Sequence, residues 1–259
     1  MSTPSTPLVY LILGAARSGR RELLVDLIAG GLAATDRPAV LLAEDEEPDS
    51  QDANLPNVSR WAWADQAIVA TLPENATHVL FVTSGRGSPV DQTEAFKAWL
   101  EAQGGELARA LCVVDCRLAE RNPPLLAWYE ACIHFADVVL LSHREGVENK
   151  WLSGFLLHFN KQFYPCVFET VKNGRVKNPA LVLEPEARRM THVFDEEQDW
   201  VLTNAEGEEV DEQDEIAEDE ELQAKPEEDP YFARRSEGGR RVKELPDIRK
   251  FLGDLPRAD

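Results

Sequence analysis

Six short apolar segments recur through the first two-thirds of the chain, and longer amphipathic segments separate them. The apolar segments are Leu8–Leu13, Ala39–Ala43, His78–Thr83, Ala110–Asp115, Asp137–Ser142 and Cys166–Glu169. Each is nearly continuous in apolar residues, which is typical of strands buried on both faces of a parallel sheet. The segments between them carry apolar residues at helical spacing, over Arg20–Leu32, Val90–Gln103, Pro124–Phe135 and Glu148–Phe163. The pattern predicts the α/β class: a mostly parallel sheet of six or seven strands with helices on both faces.

The stretch Leu181–Leu183 is a candidate for an extra edge strand, and after about Pro185 the alternation stops. The formal charge of the 259 residues is −20. Between Asp195 and Asp229 there are 18 Asp or Glu and one Lys, a net of −17, so the rest of the chain carries −3. Such a segment buries too little apolar surface to offset the entropy cost of ordering it.

This change in composition predicts two regions. Residues 1–185 are expected to form the α/β domain, and residues 186–259 an acidic, largely disordered tail. No fixed conformation is expected over 196–229. The tail regains aromatic and basic residues at Tyr231–Leu255, where it ends in a short amphipathic segment that either folds back or docks on a partner.

Composition also excludes several classes of function. A strongly acidic segment disfavours binding to nucleic acid or to an anionic membrane, both of which depend on Lys and Arg. No apolar run approaches the roughly 18 residues of a membrane span, and the first ten residues lack the pattern of a secretory signal. The four cysteines show no metal-ligand spacing, and they are expected to be buried apolar residues. We therefore expect a cytoplasmic protein with no bound metal, no nucleic acid and no membrane partner.

Residues 14–21, GAARSGRR, lie between the first apolar segment and the first amphipathic one. A phosphate loop reads G-x-x-x-x-G-K-[ST]: its backbone amides cradle phosphate, its lysine reaches the outer phosphates and its hydroxyl ligates Mg²⁺. Gly14 and Gly19 have the required separation, but Arg20 stands at the lysine position and Arg21 at the hydroxyl position. Two interpretations are open: a phosphate loop altered at its chemical positions, or an ordinary strand–helix turn.

Three later segments favour the first interpretation. They are THVLFVTSGRGSP at 77–89, ALCVVDC at 110–116 and FADVVLLSHREGV at 135–147. In this order the chain resembles the CobW family of P-loop GTPases, metal chaperones of the SIMIBI class, over roughly residues 8–170. The resemblance implies a nucleotide-binding fold whose loop follows the first strand.

The chain departs from the family pattern at the positions that carry chemistry. Arg17, Arg20 and Arg21 replace a glycine, the lysine and the hydroxyl of the loop; Val82 replaces an acidic residue; Ser59, Trp61 and Ala62 replace cysteines of the metal motif; and Ser142, His143, Arg144 and Glu145 stand at the guanine motif N-K-x-D. With these replacements, the resemblance implies a degenerate member of the family, a pseudo-GTPase that acts through partner binding.

The predicted site is therefore a vestigial nucleotide or anion site with no catalytic residue and no metal ligand. Its residues are Gly14, Gly19, Arg20, Arg21, Ser84, Gly85, Ser142 and Glu145. The arginines either hold an anion or form salt bridges with Asp45 or Glu46. We expect no cofactor, and the alternative is weak binding or slow hydrolysis of GTP or ATP with Arg20 in place of the lysine. The expected partner is an unknown protein, and the acidic tail suits a basic one.

Overall fold

The structure is a computed structural model that describes residues 6–195, 200–203, 223–226, 228–236 and 239–253. Most of the segment predicted to lack a fixed conformation, 196–229, lies outside these residues. Two short strands within it are described: β9 (Trp200–Thr203) pairs antiparallel with β10 (Gln223–Pro226).

The described part of the first 190 residues contains one eight-stranded sheet. Its strands are β1 (Leu8–Gly14), β2 (Pro38–Ala43), β3 (Val58–Ala64), β4 (Ala67–Val69), β5 (His78–Val82), β6 (Glu106–Asp115), β7 (Val138–Ser142) and β8 (Val167–Thr170). Their spatial order is β4-β3-β2-β5-β1-β6-β7-β8. All neighbours pair in parallel except β3 and β4, which form an antiparallel hairpin at one edge. The predicted fold class is confirmed, and β1 lies near the centre of the sheet.

Helices cover both faces of this sheet. The described α-helices are α1 (Arg20–Gly31), α2 (Pro89–Gln103), α3 (Cys116–Arg121), α4 (Leu126–His134), α5 (Asn149–Lys161) and α6 (Pro179–Leu183). On one face, Tyr10 and Ile12 of β1 share a buried core with Leu24 of α1 and Leu183 of α6. On the other face, Phe81 of β5 packs against aromatic rings of α2. None of the described helices is both long and apolar enough to cross a membrane.

The predicted edge strand at Leu181–Leu183 is wrong, because this stretch is the end of helix α6. Asn178 precedes the helix and its side chain accepts a hydrogen bond from the Leu181 amide, while Pro179 occupies the first turn. Proline favours that position because it has no amide hydrogen to leave unsatisfied. Leu183 is buried in the core shared with α1. The helix therefore packs on the sheet face and adds no strand to its edge.

The hairpin β3–β4 is a second difference from the sequence prediction. Its first strand, Val58–Ala64, occupies the stretch where the resemblance placed the altered metal motif. Trp61 is fully buried, donates its indole N–H to the Val82 carbonyl at 2.8 Å and stacks on Phe81. A tryptophan therefore anchors the sheet edge at a position where the family motif has a cysteine.

The chain divides into two compact units. The first contains the sheet and comprises residues up to Met190 together with those from Leu245 onward. Within its last part, Ile248 and Leu252 are buried, although the sequence placed them in the tail. The second unit covers Thr191–Glu244. In it, the Thr191 hydroxyl donates to Asp229 at 2.6 Å.

Candidate functional site

The loop after β1 has the position and the backbone form that the sequence predicts. Strand β1 ends at Gly14 and helix α1 begins at Arg20, so the loop lies at the carboxyl end of a central strand, where open α/β sheets bind ligands. Gly19 precedes the helix with φ +81°, a left-handed conformation that glycine adopts without steric cost. The side chain of Ser18 is fully buried below it.

Arg17 occupies the middle of the loop with φ +64°, in the left-handed region where the family pattern has a glycine. Its guanidinium points away from the loop centre and pairs with Glu47, with Nη2 and Oε2 at 3.0 Å. Arg86 contacts the same carboxylate at 2.9 Å. The bulky side chain at this position therefore lies in a surface ion cluster.

Arg20, at the lysine position, is buried and fully engaged within the protein. Its Nη1 donates to the Thr83 carbonyl at 2.6 Å, and its Nη2 donates to Glu46 Oε1 at 2.5 Å. The side chains of Arg20 and Glu46 are 3% and 7% exposed, so this ion pair is shielded from solvent. A planar guanidinium can hold two acceptors at once, which a lysine ammonium does less specifically.

Arg21, at the hydroxyl position, faces three carboxylates of the segment after β2. Its Nε lies 2.8 Å from Asp52 Oδ1, and its two other nitrogens lie 3.6 Å from Glu46 and 3.8 Å from Asp49. The contact with Asp52 is an ion pair without hydrogen-bond alignment. A guanidinium cannot ligate a cation, so Arg21 removes the Mg²⁺ ligand that a Ser or Thr would supply at this position.

Glu46 is the residue that joins these groups. Its Oε1 accepts hydrogen bonds from Arg20 and from the Gly85 amide, the latter at 3.0 Å. Burial raises the pKa of this carboxyl, but Arg20, the Gly85 amide and Arg21 together outweigh burial and hold the pKa below its ordinary value. Glu46 is therefore charged at neutral pH, and it forms salt bridges with Arg20 and Arg21.

Ser84 and Gly85 lie beside the loop, at the end of β5. The Ser84 hydroxyl donates to Asp45 at 2.6 Å, and the Ser84 amide donates to the side chain of Gln92 at 2.6 Å. The Gly85 carbonyl accepts from the Ala16 amide at 3.0 Å, so one loop amide is already used inside the protein. Gly85 thus connects the loop to Glu46 through both of its backbone polar groups.

The segment at the guanine motif divides into a buried and an exposed part. Ser142 is buried and donates to the Ser18 carbonyl at 2.8 Å, so it supports the loop from below. His143 lies next to Gly19 and its Nδ1 is 2.7 Å from Asp115 Oδ2. Glu145 is exposed. The structure therefore brings Ser142 to the loop with the other predicted residues and leaves Glu145 at the surface.

The four cysteines are all buried and unpaired by disulfides. Burial raises the pKa of the Cys116 and Cys166 thiols to about 12, and it raises that of Cys132 well above its ordinary value. These three thiols are protonated near neutral pH, whereas metal ligation requires the thiolate. Across the described ranges, no group of three or more His, Cys, Asp or Glu residues is arranged to hold a metal ion.

The strand order and the loop together decide the kind of fold. A mostly parallel sheet has a central β1 that leads through a glycine-flanked loop into α1, with β5 and β6 on either side. The fold is P-loop NTPase-like. No family model and no curated protein matches the chain.

Solved structures with a similar fold are distant from this chain in sequence. Zinc-bound YjiA GTPase from E. coli is 14% identical, with a TM-score of 0.38, over 76% of this chain and 72% of that one. The hydrogenase maturation factor HypB from Archaeoglobus fulgidus is 12% identical, with a TM-score of 0.42, over 64% and 81%. HypB from Helicobacter pylori, in complex with nickel, is 10% identical, with a TM-score of 0.41, over 64% and 78%. Because these similarities are low, the P-loop NTPase-like fold is assigned from the chain's own topology.

Sequence reasoning found the loop of this fold but left out some of the residues that complete the site. Gln92 is absent from the predicted site, and Glu46 was named only as one of two possible salt-bridge partners of the arginines, although each binds a site residue. Glu46 lies in the acidic run EDEE directly after β2. Its position at the end of a parallel strand near the loop was a usable signal that it belongs to the site. Which carboxylate of that run turns inward depends on the backbone path.

The charge of Glu46 should make a pH-dependent contribution to stability. Replacing Glu46 with Gln should lower the free energy of unfolding at pH 7 by about 3 kcal/mol, because buried Arg20 loses its charge partner. A carboxyl whose pKa is lower in the folded state adds stability above its unfolded pKa and loses it as the pH falls through the folded pKa. The advantage of wild type over Glu46→Gln should thus persist down to the ordinary glutamate pKa of 4.5 and shrink below it.

Urea denaturation of both proteins from pH 7 to pH 3 measures this difference. Asp49 and Asp52, which also face Arg21, are present in both proteins, so the two proteins differ only at position 46. A difference that stays constant over the whole range would contradict the assignment of a charged Glu46.

Proposed function

We propose that the protein is a non-catalytic, degenerate relative of the CobW-type GTPases that acts by binding a protein partner. The observation that carries this proposal is the engagement of both altered loop positions by the chain's own carboxylates. Arg20 is held by Glu46, and Arg21 by Glu46 and Asp52. In a working loop these positions supply the lysine for the outer phosphates and the hydroxyl for Mg²⁺.

A second observation supports the absence of catalysis. Hydrolysis of a nucleoside triphosphate requires Mg²⁺ and positive side chains to neutralise charge on the transferred phosphoryl group. Val82, where the resemblance expects an acidic residue near the metal, is buried and apolar. With Arg21 in place of the loop hydroxyl and Val82 in place of the acidic residue, two groups that the resemblance expects near the metal are missing.

We expect no release of phosphate from GTP or ATP above the buffer background. The double variant Arg20→Lys/Arg21→Thr restores the lysine and the hydroxyl but leaves Arg17 and Val82, and it should also be inactive. Phosphate release by both proteins, with and without Mg²⁺, tests this expectation. Wild-type turnover that requires Mg²⁺ and disappears in Arg20→Ala would overturn the non-catalytic assignment.

The second candidate function is nucleotide binding with Arg20 in place of the lysine. It is favoured by the positive charge that Arg20 keeps at the start of α1, where a helix attracts anions. Isothermal titration with GTP, ATP and GDP, with and without Mg²⁺, separates the two candidates. Saturable binding in the micromolar range would make this the preferred function.

The partner is proposed to be a basic protein attracted by the acidic segment between Asp195 and Asp229, whose net charge is −17. Four free buried cysteines suit a reducing compartment, which supports a cytoplasmic location.

Residues from Leu245 onward belong to the unit with the sheet, so truncation at Pro185 would remove part of that unit. The sharper test replaces every Asp and Glu from 206 to 221 with Asn and Gln in the full chain. Partner capture that survives this neutralisation would contradict a role for the acidic segment.

A further inference from the structure

Three hydrogen-bond or ion-pair donors from two parts of the chain converge on the carboxylate of Glu46. Arg20 Nη2 donates at 2.5 Å, the Gly85 amide donates at 3.0 Å, and Arg21 Nη2 lies at 3.6 Å. The first and third are the residues at the two chemical positions of the phosphate loop. The second follows β5, the strand beside β1.

The ligand that such donors select is an anion with several oxygens. A carboxylate and a phosphoryl group both accept charge-assisted hydrogen bonds from guanidinium and backbone N–H groups. Shielding from solvent strengthens these contacts. It also makes the absence of an anion costly in free energy, because buried Arg20 would then lack a counter-charge. The donors thus require an anion, and Glu46 supplies one from within the chain.

The backbone around Glu46 is held in place on both sides. The Glu46 carbonyl accepts from Arg60 at 3.1 Å, and its amide donates to the Ala43 carbonyl at 3.2 Å. The preceding Asp45 accepts from the Ser84 hydroxyl. Downstream, Asp49 and the Asp52 side chain form reciprocal hydrogen bonds that start a short 3₁₀ turn. These contacts lower the entropy cost of presenting the carboxylate to the loop.

The neighbouring acidic residues do not share this role. Glu47 is 54% exposed and contacts Arg17 and Arg86 near the surface, while Asp49 is 44% exposed and lies 3.8 Å from Arg21 without reaching Arg20 or Gly85. The Glu46 side chain, 7% exposed, reaches Arg20 and Gly85 together. One carboxylate in the EDEE run therefore differs from its neighbours in burial and in partners.

We propose that Glu46 is an internal counter-anion that closes the loop, and that Arg20, Arg21 and the Gly85 amide form a latent oxyanion site behind it. The ligand class is a phosphate or pyrophosphate anion, which enters only when the Glu46 carboxylate is withdrawn. The inference deepens the proposed function and rests on it, since the loop of the wild-type protein is taken to hold no nucleotide. The Glu46 side chain alone then closes the loop, and a partner that moved this side chain away would open the site.

Pyrophosphate binding to the full-length chain tests the proposal. The apparent affinity of a ligand equals its intrinsic affinity multiplied by the fraction of protein whose site is open. If Glu46 keeps the site closed in more than 90% of the molecules, its removal should therefore raise the pyrophosphate affinity more than about tenfold. We expect Glu46→Ala to bind pyrophosphate more than about tenfold tighter than wild type in isothermal titration at constant ionic strength. Glu46→Gln, which keeps the side-chain volume, should show a gain in the same direction. The Gly85 amide resonance should shift on binding in both variants.

Two further variants make the test specific. Glu47→Gln removes one negative charge from the adjacent position without touching Arg20, and it should bind like wild type. Adding Arg20→Ala to Glu46→Ala should abolish the gain, because the anion loses its principal donor. Circular dichroism and thermal melting establish which variants are folded, and Glu46→Gln provides the result if Glu46→Ala does not fold.

Several outcomes would overturn the inference. They are equal pyrophosphate affinity in wild type and folded Glu46 variants, the same gain in Glu47→Gln, and a gain that persists without Arg20. Failure of the proposed function has a different signature, which is GTP binding or hydrolysis by the wild-type protein itself. A gain confined to the Glu46 variants, in proteins that hydrolyse no nucleotide, supports both.

Discussion

Replacing Asp137 with alanine should lower the free energy of unfolding by about 3–5 kcal/mol, because it removes one side of a buried charge cluster. The Asp137 side chain is fully buried at the start of β7. It accepts from the Ala110 amide at 2.7 Å and from the Arg188 amide at 2.6 Å, and it pairs with Arg189 Nη1 at 3.3 Å. Alanine leaves the buried Ala110 amide, the partly buried Arg188 amide and the buried Arg189 guanidinium without this acceptor.

Denaturant unfolding of Asp137→Ala beside Glu186→Ala measures the effect. Glu186 is an exposed carboxylate in the same segment, and its ion pair with Arg188, at 2.6 Å, is exposed to solvent. Exposed pairs contribute little, so Glu186→Ala should unfold like wild type. If both variants unfold at the same denaturant concentration, the buried cluster does not hold residues 186–190 on the sheet as the contacts indicate.

Replacing Gly85 with alanine should destabilise the protein by about 3 kcal/mol through a clash with the phosphate-loop backbone. A Cβ atom at this position would lie 2.0 Å from the Ala16 nitrogen and 2.5 Å from the Ala15 carbonyl carbon. Because both are backbone atoms, the loop or the end of β5 must move. That movement also strains the hydrogen bonds from the Ala16 amide to Gly85 and from Gly85 to Glu46.

The matched control for this variant is Gly154→Ala, in the middle of α5. A Cβ atom there meets nothing within 4 Å, and alanine is favoured over glycine in a helix by about 1 kcal/mol. The two variants should therefore shift the melting temperature in opposite directions. Equal melting of Gly85→Ala and wild type would show that the loop and the end of β5 separate more easily than their contacts indicate.

Much of the fold could be predicted because its signals are local. Strands buried on both faces must be apolar throughout, so β1, β2, β5, β6 and β7 are visible as runs of letters, and the helices between them as 3.6-residue periods. The loop was visible because its two glycines stand at a set distance between a strand and a helix. The prediction missed β3 and β4, whose edge position leaves most side chains exposed and the apolar pattern weak.

Two stretches show how tertiary contacts override a local pattern. The letters Leu-Val-Leu at 181–183 suit a strand, yet Pro179 and the core against α1 make them helical. For the segment after the acidic residues, the sequence left open whether it folds back or docks on a partner, and in the structure Ile248 and Leu252 are buried in the unit that contains the sheet. Burial against a surface distant in sequence leaves no periodic signal over so few residues.

The sequence by itself determined the α/β class, the place of the loop and the loss of its lysine and hydroxyl, because each is a property of consecutive residues. Only the tertiary structure decided what the two arginines do instead. Arg20 and Glu46 are 26 positions apart, and Gly85 is 39 positions beyond Glu46. They meet because β1, β2 and β5 end at the same edge of the sheet, and the parallel register there turns a single carboxylate of EDEE toward the loop. The path of the backbone after β2 sets which acidic residue turns inward. Four consecutive acidic residues look alike in the sequence, so the sequence alone does not indicate which of them it is.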